Sequence, residues 1–242
     1  LTGKEPTLSS APHTSIDSSP LRDFFNQKAG GWGRKYAPSG PLAHRLQLFA
    51  EQLDLLVPAP ARVLEVGCGT GNLAAHLASR GYALTACDIA EEMLAEAQRT
   101  FASAGIDWRL VHRGQRLPLE DASFDAVVAS SVFEYVDDIP FALAECRRVL
   151  RPGGMLLATV PTDRHWHRRL EAALLPPAFL MRSTPVRWPS RLQGYVDYLF
   201  LSRNRLSIAE WEALAVKARL HSVGAPDRQA GTLTLLTFRR DT

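Results

Sequence analysis

Residues 63–73 read Val63-Leu64-Glu65-Val66-Gly67-Cys68-Gly69-Thr70-Gly71-Asn72-Leu73. A β-rich apolar run, Arg62–Val66, passes into glycines at every second position and then into helix-forming residues as far as Arg80. Glycine reaches backbone conformations that other residues avoid, so the chain can turn tightly there and bring its N–H groups close to a ligand. The next apolar run, Ala83–Cys87, ends on Asp88, 21 residues beyond Gly67. A carboxylate at that distance and at a strand end can accept hydrogen bonds from two ribose hydroxyls. Glycines and acid together point to a site for an adenosine-bearing cofactor. The glycines run G-x-G-x-G, and Asn72 stands where the dinucleotide fingerprint G-x-G-x-x-G has its last glycine. That last close approach serves a pyrophosphate, so the spacing weighs against a nicotinamide dinucleotide.

On either side the chain alternates between strand and helix. Glu91–Ala104 is an amphipathic helix, Trp108–His112 a third strand, Phe124–Ser130 a fourth and Pro140–Leu150 a helix. Behind Pro152-Gly153-Gly154, Met155–Val160 is the fifth strand. Upstream, Leu42, Leu46, Phe49, Leu53 and Leu56 follow helical spacing behind Pro41. The rhythm stops from Pro161 to Leu206, then resumes with Ser207-Ile208-Ala209-Glu210, a capping box that opens a helix to Lys217. Leu220–Gly224 and Thr232–Phe238 complete the strands. The pattern predicts an α/β fold: a Rossmann-like, doubly wound, mostly parallel seven-stranded sheet with helices on both faces. A helical substrate cap, residues 161–206, is expected after strand five. Residues 1–20, rich in Ser, Thr and Pro, read as a disordered tail before a domain over 21–242.

Composition narrows the classes. Hydrophobic residues make up 46% and charged residues 22%, as in ordinary soluble globular chains. No apolar run is long enough to span a bilayer. No positively charged start leads into an apolar stretch, so no secretory leader is expected. Cys68, Cys87 and Cys146 have no metal-ligand spacing and leave one thiol over in any disulfide scheme, so no metal and a reducing, cytoplasmic setting are expected. The net charge of +3 is too small to argue for a nucleic-acid partner.

Glu65-Val66-Gly67-Cys68-Gly69-Thr70-Gly71 resembles the first motif of class I S-adenosylmethionine-dependent methyltransferases, and Cys87-Asp88-Ile89-Ala90-Glu91-Glu92-Met93-Leu94 the second. Leu117-Pro118-Leu119, Ser123-Phe124-Asp125-Ala126-Val127 and Glu145-Cys146-Arg147-Arg148-Val149-Leu150-Arg151-Pro152-Gly153-Gly154 continue the pattern in order. The resemblance covers roughly residues 60–160 and is strongest to small-molecule enzymes similar to those of ubiquinone and menaquinone biosynthesis. It implies S-adenosylmethionine as methyl donor. Gly67, Gly69 and Gly71 would line its methionine and ribose side, with Glu65 ordering the loop. Asp88 would bind the ribose, Ile89 and Met93 would pack on adenine, and Ser130 would sit beside the methionine amino group. Trp32 and Tyr36 match aromatic positions that close over the methionine end. One departure stands out: Arg113 occupies the position where the family has an acid facing the adenine amino group, and arginine cannot accept that hydrogen bond.

Methyl transfer is an in-line displacement that needs alignment, and a base where the nucleophile carries a proton. Glu134, Tyr135, His165 and His167 follow strands four and five, at the carboxyl ends where open α/β sheets bind ligands, and are the catalytic candidates. Helix-start or packing roles for Glu134 and Tyr135, and solvated positions for the histidines, are the competing readings. The expected cap holds eight arginines against three acids, with Trp166 and Trp188 among its leucines. Such a segment suits a small anionic or lipid-like acceptor, or a peripheral membrane contact through 161–206, or a solvated cover packed on the domain. The alternatives are a nucleic-acid or protein methyltransferase, a catalytically silent cofactor-binding domain, and a nicotinamide oxidoreductase. After strand four, Ala129-Ser130-Ser131-Val132-Phe133 lacks the Asn/Asp-Pro-Pro-aromatic sequence of DNA amino-methylation, and no Pro-Cys nucleophile is present. The accepting atom, oxygen, nitrogen or carbon, stays open.

Overall fold

The computed structural model describes residues 19–162, 190–204, 206–224, 229–230 and 232–242. Its strands are β1 (Arg62–Val66), β2 (Ala83–Asp88), β3 (Asp107–Leu110), β4 (Phe124–Ser130), β5 (Leu150–Val160), β6 (Leu220–Ser222), β7 (Gln229–Ala230) and β8 (Leu233–Arg240). They form one sheet in the order β3-β2-β1-β4-β5-β8-β6, with the two-residue β7 beside β8. β1, β2, β3, β4 and β5 pair in parallel, while β8 runs antiparallel to β5 and β6. The doubly wound, mostly parallel sheet expected from the alternation is therefore present, with β7 as a short addition.

Each central strand feeds two cores, because successive side chains leave opposite faces of a sheet. Val63, Ala126, Val128 and Leu157 pack with Phe49 and Leu53 of α3 (Ala43–Leu56) and with Leu73 and Leu77 of α4 (Asn72–Ala78). Leu64, Val127 and Leu156 face the other way, onto Leu143 of α6 (Ile139–Val149) and Trp211 of α8 (Ile208–Lys217). A fully buried Leu or Phe is worth roughly 1.5–3 kcal/mol, so two such layers hold the central strands rigidly. The order in which strands are added reverses between β1 and β4: β2 and β3 lie on one side, β4 and β5 on the other. The carboxyl ends of β1 and β4 thus flank a topological switch point, where open sheets bind ligands.

Several element ends differ from the sequence reading. β5 starts at Leu150, directly behind α6, and runs through Pro152-Gly153-Gly154. The strand accommodates them by a register shift opposite Phe124 and Ala126, with Gly153 at φ +77°. Asp138 caps α6 by accepting the Phe141 N–H at 2.9 Å, which moves the helix start ahead of Pro140. Of the expected tail, residues 1–18 lie outside the described residues, whereas Ser19 and Pro20 already cap and open α1 (Pro20–Asn26). Within 161–206, Ser190–Leu201 forms α7, and residues 163–189 lie outside the described residues. Among the described residues no helix is long and apolar enough to cross a membrane.

The capping box at α8 has both of its hydrogen bonds. Ser207 Oγ accepts the Glu210 N–H at 3.3 Å, and Glu210 Oε2 accepts the Ser207 N–H at 2.7 Å. Ser207→Ala should cost about 1 kcal/mol, seen as a fall in Tm of about 2–4 °C for a chain of this size. An unchanged melting curve would mean that α8 is held by Trp211 and Ala215 alone.

Candidate functional site

A cavity of about 780 Å³ opens at the switch point. Ligand sites span roughly 300–1,000 Å³, so the volume suits a cofactor with a second molecule beside it. Its floor is the glycine turn after β1. Gly67 and Gly69 adopt φ +68° and +52°, left-handed values that favour glycine, and both line the cavity. A Cβ on Gly67 would stand 2.5 Å from Val132 Cγ2, so the turn also packs against the loop after β4. Gly71, at φ +74°, precedes α4, and a Cβ there would overlap the Trp108 ring and stand 3.0 Å from Ala97 Cβ. Gly71 and Glu65 lie behind the turn, away from the residues that wall the cavity. Gly71 serves the packing of α4 on α5 (Glu91–Thr100) and β3.

Asp88 lines the cavity at the end of β2 and is only 9% exposed. Its carboxylate accepts the Gly69 N–H at 2.7 Å and the Ala90 N–H at 2.9 Å. The acid expected to serve a ribose therefore also fixes the glycine turn. Burial raises its pKa, and the backbone N–H groups of Ala90, Gly69 and Ile89 offset that only in part. A carboxylate offers about four acceptor positions, so capacity remains for hydroxyl donors from a ligand. Glu65, 2% exposed, accepts the Ala74 N–H of α4, while its Oε2 is buried without a partner. Burial pushes its pKa well above the usual carboxylate range, with the Asp88 charge adding to the rise. Ser130 Oγ is likewise buried without a partner at the cavity.

Ile89 and Met93 stand on the same wall. Met93 is 1% exposed and packs with Ala90 and with Ala29, Phe25 and Trp32 of the N-terminal elements. These elements, α1 and α2 (Ala29–Trp32), are tied to the start of α5. Asn26 accepts the Glu92 N–H at 3.1 Å and donates to Glu91 Oε2 at 3.1 Å. Trp32 and Tyr36 thereby reach the cavity, with Trp32 Nε1 3.6 Å from where a Gly69 Cβ would stand. Burial raises the Tyr36 pKa to about 12. Phe25 stacks edge-on against Trp32 at 5.6 Å and against Tyr135 at 5.4 Å, closing the opposite wall.

Arg113 lines the cavity with its guanidinium engaged by protein partners. Its Nη2 donates to Asp137 Oδ1 at 2.7 Å and to Tyr135 O at 3.2 Å, and Nη1 reaches Ser19 Oγ at 3.4 Å. It joins the loop after β3 to the loop after β4. Nearby, Arg148 donates to the Leu117 and Leu119 carbonyls at 3.0 and 2.7 Å and pairs with Glu145 at 2.8 Å. Glu145 in turn accepts the Leu117 N–H at 2.9 Å. These bonds account physically for the Glu145–Arg148 motif: it shapes the Leu-Pro loop at the cavity's edge.

Glu134 and Tyr135 both line the cavity. Glu134 is 3% exposed, and its main-chain carbonyl accepts the Arg203 N–H at 2.9 Å, pinning the chain after α7 to the loop after β4. His165 and His167 lie outside the described residues, as do Trp166, Trp188 and most of the arginines of 161–206. Three cations at the cavity were not among the sequence-based candidates: Lys28, Lys35 and Arg45. For Lys28 and Lys35 the signal was present in the run of aromatic and basic residues from Phe24 to Tyr36, the same mixture that drew attention to 161–206. Among the described residues no cluster of His, Cys, Asp and Glu could hold a metal ion.

Residues 64–158 match the methyltransferase domain family. That segment, from β1 to β5, is what is similar to class I S-adenosylmethionine-dependent methyltransferase domains. It is 35% identical over 144 residues to the malonyl-[acyl-carrier protein] O-methyltransferase of Geobacter sulfurreducens, covering 58% of this chain and 52% of that protein. It is 40% identical over 113 residues to the ubiquinone/menaquinone biosynthesis C-methyltransferase of Desulfotalea psychrophila, covering 45% of each. The chain thus spans about half the length of the curated relatives it matches. A solved Thermotoga maritima structure, described as a possible histamine N-methyltransferase, shares the fold with a TM-score of 0.63 at 20% identity, over 91% of this chain and 100% of that one.

Proposed function

We propose that the chain transfers a methyl group from S-adenosylmethionine to a small-molecule acceptor. The observation that carries the reading is one cavity walled by two kinds of surface: the left-handed Gly67–Gly69 turn with Asp88 on one side, aromatic N-terminal elements on the other. Residual acceptor capacity on Asp88 fits ribose hydroxyls, and the unpartnered Ser130 Oγ fits a donor at the methionine end. Bound there, the sulfonium would supply an electrophilic methyl. Asp88 would hold the ribose, Ile89 and Met93 would flank adenine, and Trp32 and Tyr36 would cover the methionine end. Phe25, Trp32 and Tyr135 would keep water from the line of transfer. With Arg113 engaged by Asp137, the adenine edge would meet main-chain groups and the apolar wall of Val111 and Leu117. Glu134 and Tyr135 are the candidates for taking a proton from the acceptor. The relatives named above are, by their names, an O-methyltransferase for malonyl-[acyl-carrier protein] and a C-methyltransferase of ubiquinone/menaquinone biosynthesis, and the second supports a small-molecule acceptor.

Calorimetry on the purified protein should show binding of S-adenosylhomocysteine and none of comparable strength for NAD. Tight NAD binding without the homocysteine would return the site to the oxidoreductases.

A further inference from the structure

The turn that carries Glu134 and Tyr135 is shaped from outside itself. Val132-Phe133-Glu134-Tyr135-Val136 contains no glycine, proline, asparagine or aspartate to fix a bend locally. Its one-turn 3-10 helix, Phe133–Tyr135, is closed by the Tyr135 N–H on Val132 O at 2.9 Å and the Val136 N–H on Phe133 O at 3.4 Å. Hydrogen bonds of such short helices have poor geometry, and the second of these is long. Yet all four carbonyls from Phe133 to Val136 accept donors from distant segments. The Arg203 and Asn204 N–H groups reach Glu134 O at 2.9 and 3.3 Å, and Arg113 Nη2 reaches Tyr135 O at 3.2 Å. The two outer carbonyls share a single side chain. Asn204 Nδ2 donates to Phe133 O at 2.7 Å and to Val136 O at 2.6 Å, across 71 and 68 residues of chain. An amide nitrogen carries two hydrogens, so both are spent on the turn, and the two carbonyl partners fix which end of the amide faces it.

Asn204 is half-buried and follows directly on the chain that leaves α7. The other side chains there hold the turn less firmly. Arg203 and Asp137 face each other at 3.7 Å with both groups exposed, and such pairs contribute little. Ser202 Oγ stands 3.5 Å from Glu134 Oε2, at the limit of hydrogen bonding. The demand on the turn is strict, because a group that takes a proton must come within about 2.6–3.2 Å of it. A misplacement of about 1 Å can cost roughly a hundredfold in rate. We propose that Asn204 is a positioning residue for the proton-accepting step: by holding both ends of the turn after β4, it sets Glu134 and Tyr135 at the cavity. The step rests on the methyl-transfer reading, whereas the clamp stands on its own geometry. The segment between β5 and α8 thereby builds part of the site from behind the turn.

The test reads the Tyr135 ring by NMR in tyrosine-labelled protein saturated with S-adenosylhomocysteine, with Tyr135→Phe to assign its signal among the five tyrosines. Phe25 lies edge-on at 5.4 Å, so its ring current displaces that signal from the free-tyrosine position. Asn204→Asp keeps the size of the side chain and has no N–H to give. It should remove more than half of the displacement and leave the Tyr82 signal, on the far face of the sheet, unmoved. Asn204→Ser keeps one donor and should fall between the two. The S-adenosylhomocysteine Kd should stay within about threefold in both variants, because Asp88 and the glycine turn are untouched. A wild-type Tyr135 signal in Asn204→Asp overturns the proposal. So does a shifted Tyr82 signal or a tenfold loss of affinity, either of which would mean that Asn204 supports the fold at large or the cofactor wall. Should Asn204→Asp not fold, Asn204→Ser carries the same comparison, and an unmoved Tyr135 signal in it overturns the clamp. If the wild-type protein fails to bind S-adenosylhomocysteine, the methyl-transfer reading falls, and the same spectra of the free protein still decide the clamp.

Discussion

Asp88→Ala should weaken S-adenosylhomocysteine binding by roughly tenfold to a hundredfold, the equivalent of losing hydrogen bonds to a charged acceptor at about 1.5–3 kcal/mol. The same substitution should lower the Tm, because the Gly69 and Ala90 N–H groups lose the acceptor they now have at 2.7 and 2.9 Å. The two effects separate with Asp88→Asn. Its amide oxygen can still accept one of those N–H groups, but the charge that would draw the ribose hydroxyls is gone. Asn should therefore recover part of the Tm while leaving most of the affinity loss in place. Calorimetry and thermal melts on the two variants check this, and an unchanged dissociation constant in both would mean that the ribose lies elsewhere. In the wild-type protein, affinity should fall as the pH drops through the raised pKa of Asp88, since protonation replaces an acceptor with a donor.

Gly71→Ala should be the more damaging change to the fold. The backbone at φ +74° costs a non-glycine residue about 1–2 kcal/mol, and the added methyl overlaps Trp108 and crowds Ala97. Overpacking a closed interface adds about 1–3 kcal/mol, giving a total near 3 kcal/mol. Gly114→Ala is the internal control: its φ is +69°, but nothing lies within 4 Å of the new methyl. It should lose only the backbone part. Denaturant melts giving equal losses for the two variants would show that Trp108 moves aside freely, and that Gly71 is needed for its conformation alone. Of the three glycines expected at the cofactor, Gly67 and Gly69 stand at the cavity, and Gly71 packs the helix behind them.

The succession of strands and helices along the chain and the glycine turn followed by an acid were legible in the sequence. Each of these depends on local periodicity, or on a residue type whose backbone freedom is fixed wherever it sits. The alternation of Val63 with Leu64, and of Ala126 with Val127, already encoded a sheet covered on both faces. Element ends were less legible. Pro152-Gly153-Gly154 reads as a stop, yet pairing of Leu150 with Phe124 across a register shift carries the strand through it. Only the tertiary structure decided what the polar groups do. Asp88 binds a backbone N–H from 19 residues earlier in the chain, and Arg113 spends its guanidinium on Asp137, 24 residues later. It likewise brought Lys28, Lys35 and Arg45 of the α3 helix, from separate elements, to one cavity. A side chain's partners depend on which distant segments the cores bring together, and charge, unlike hydrophobic spacing, leaves no period in the sequence to announce them.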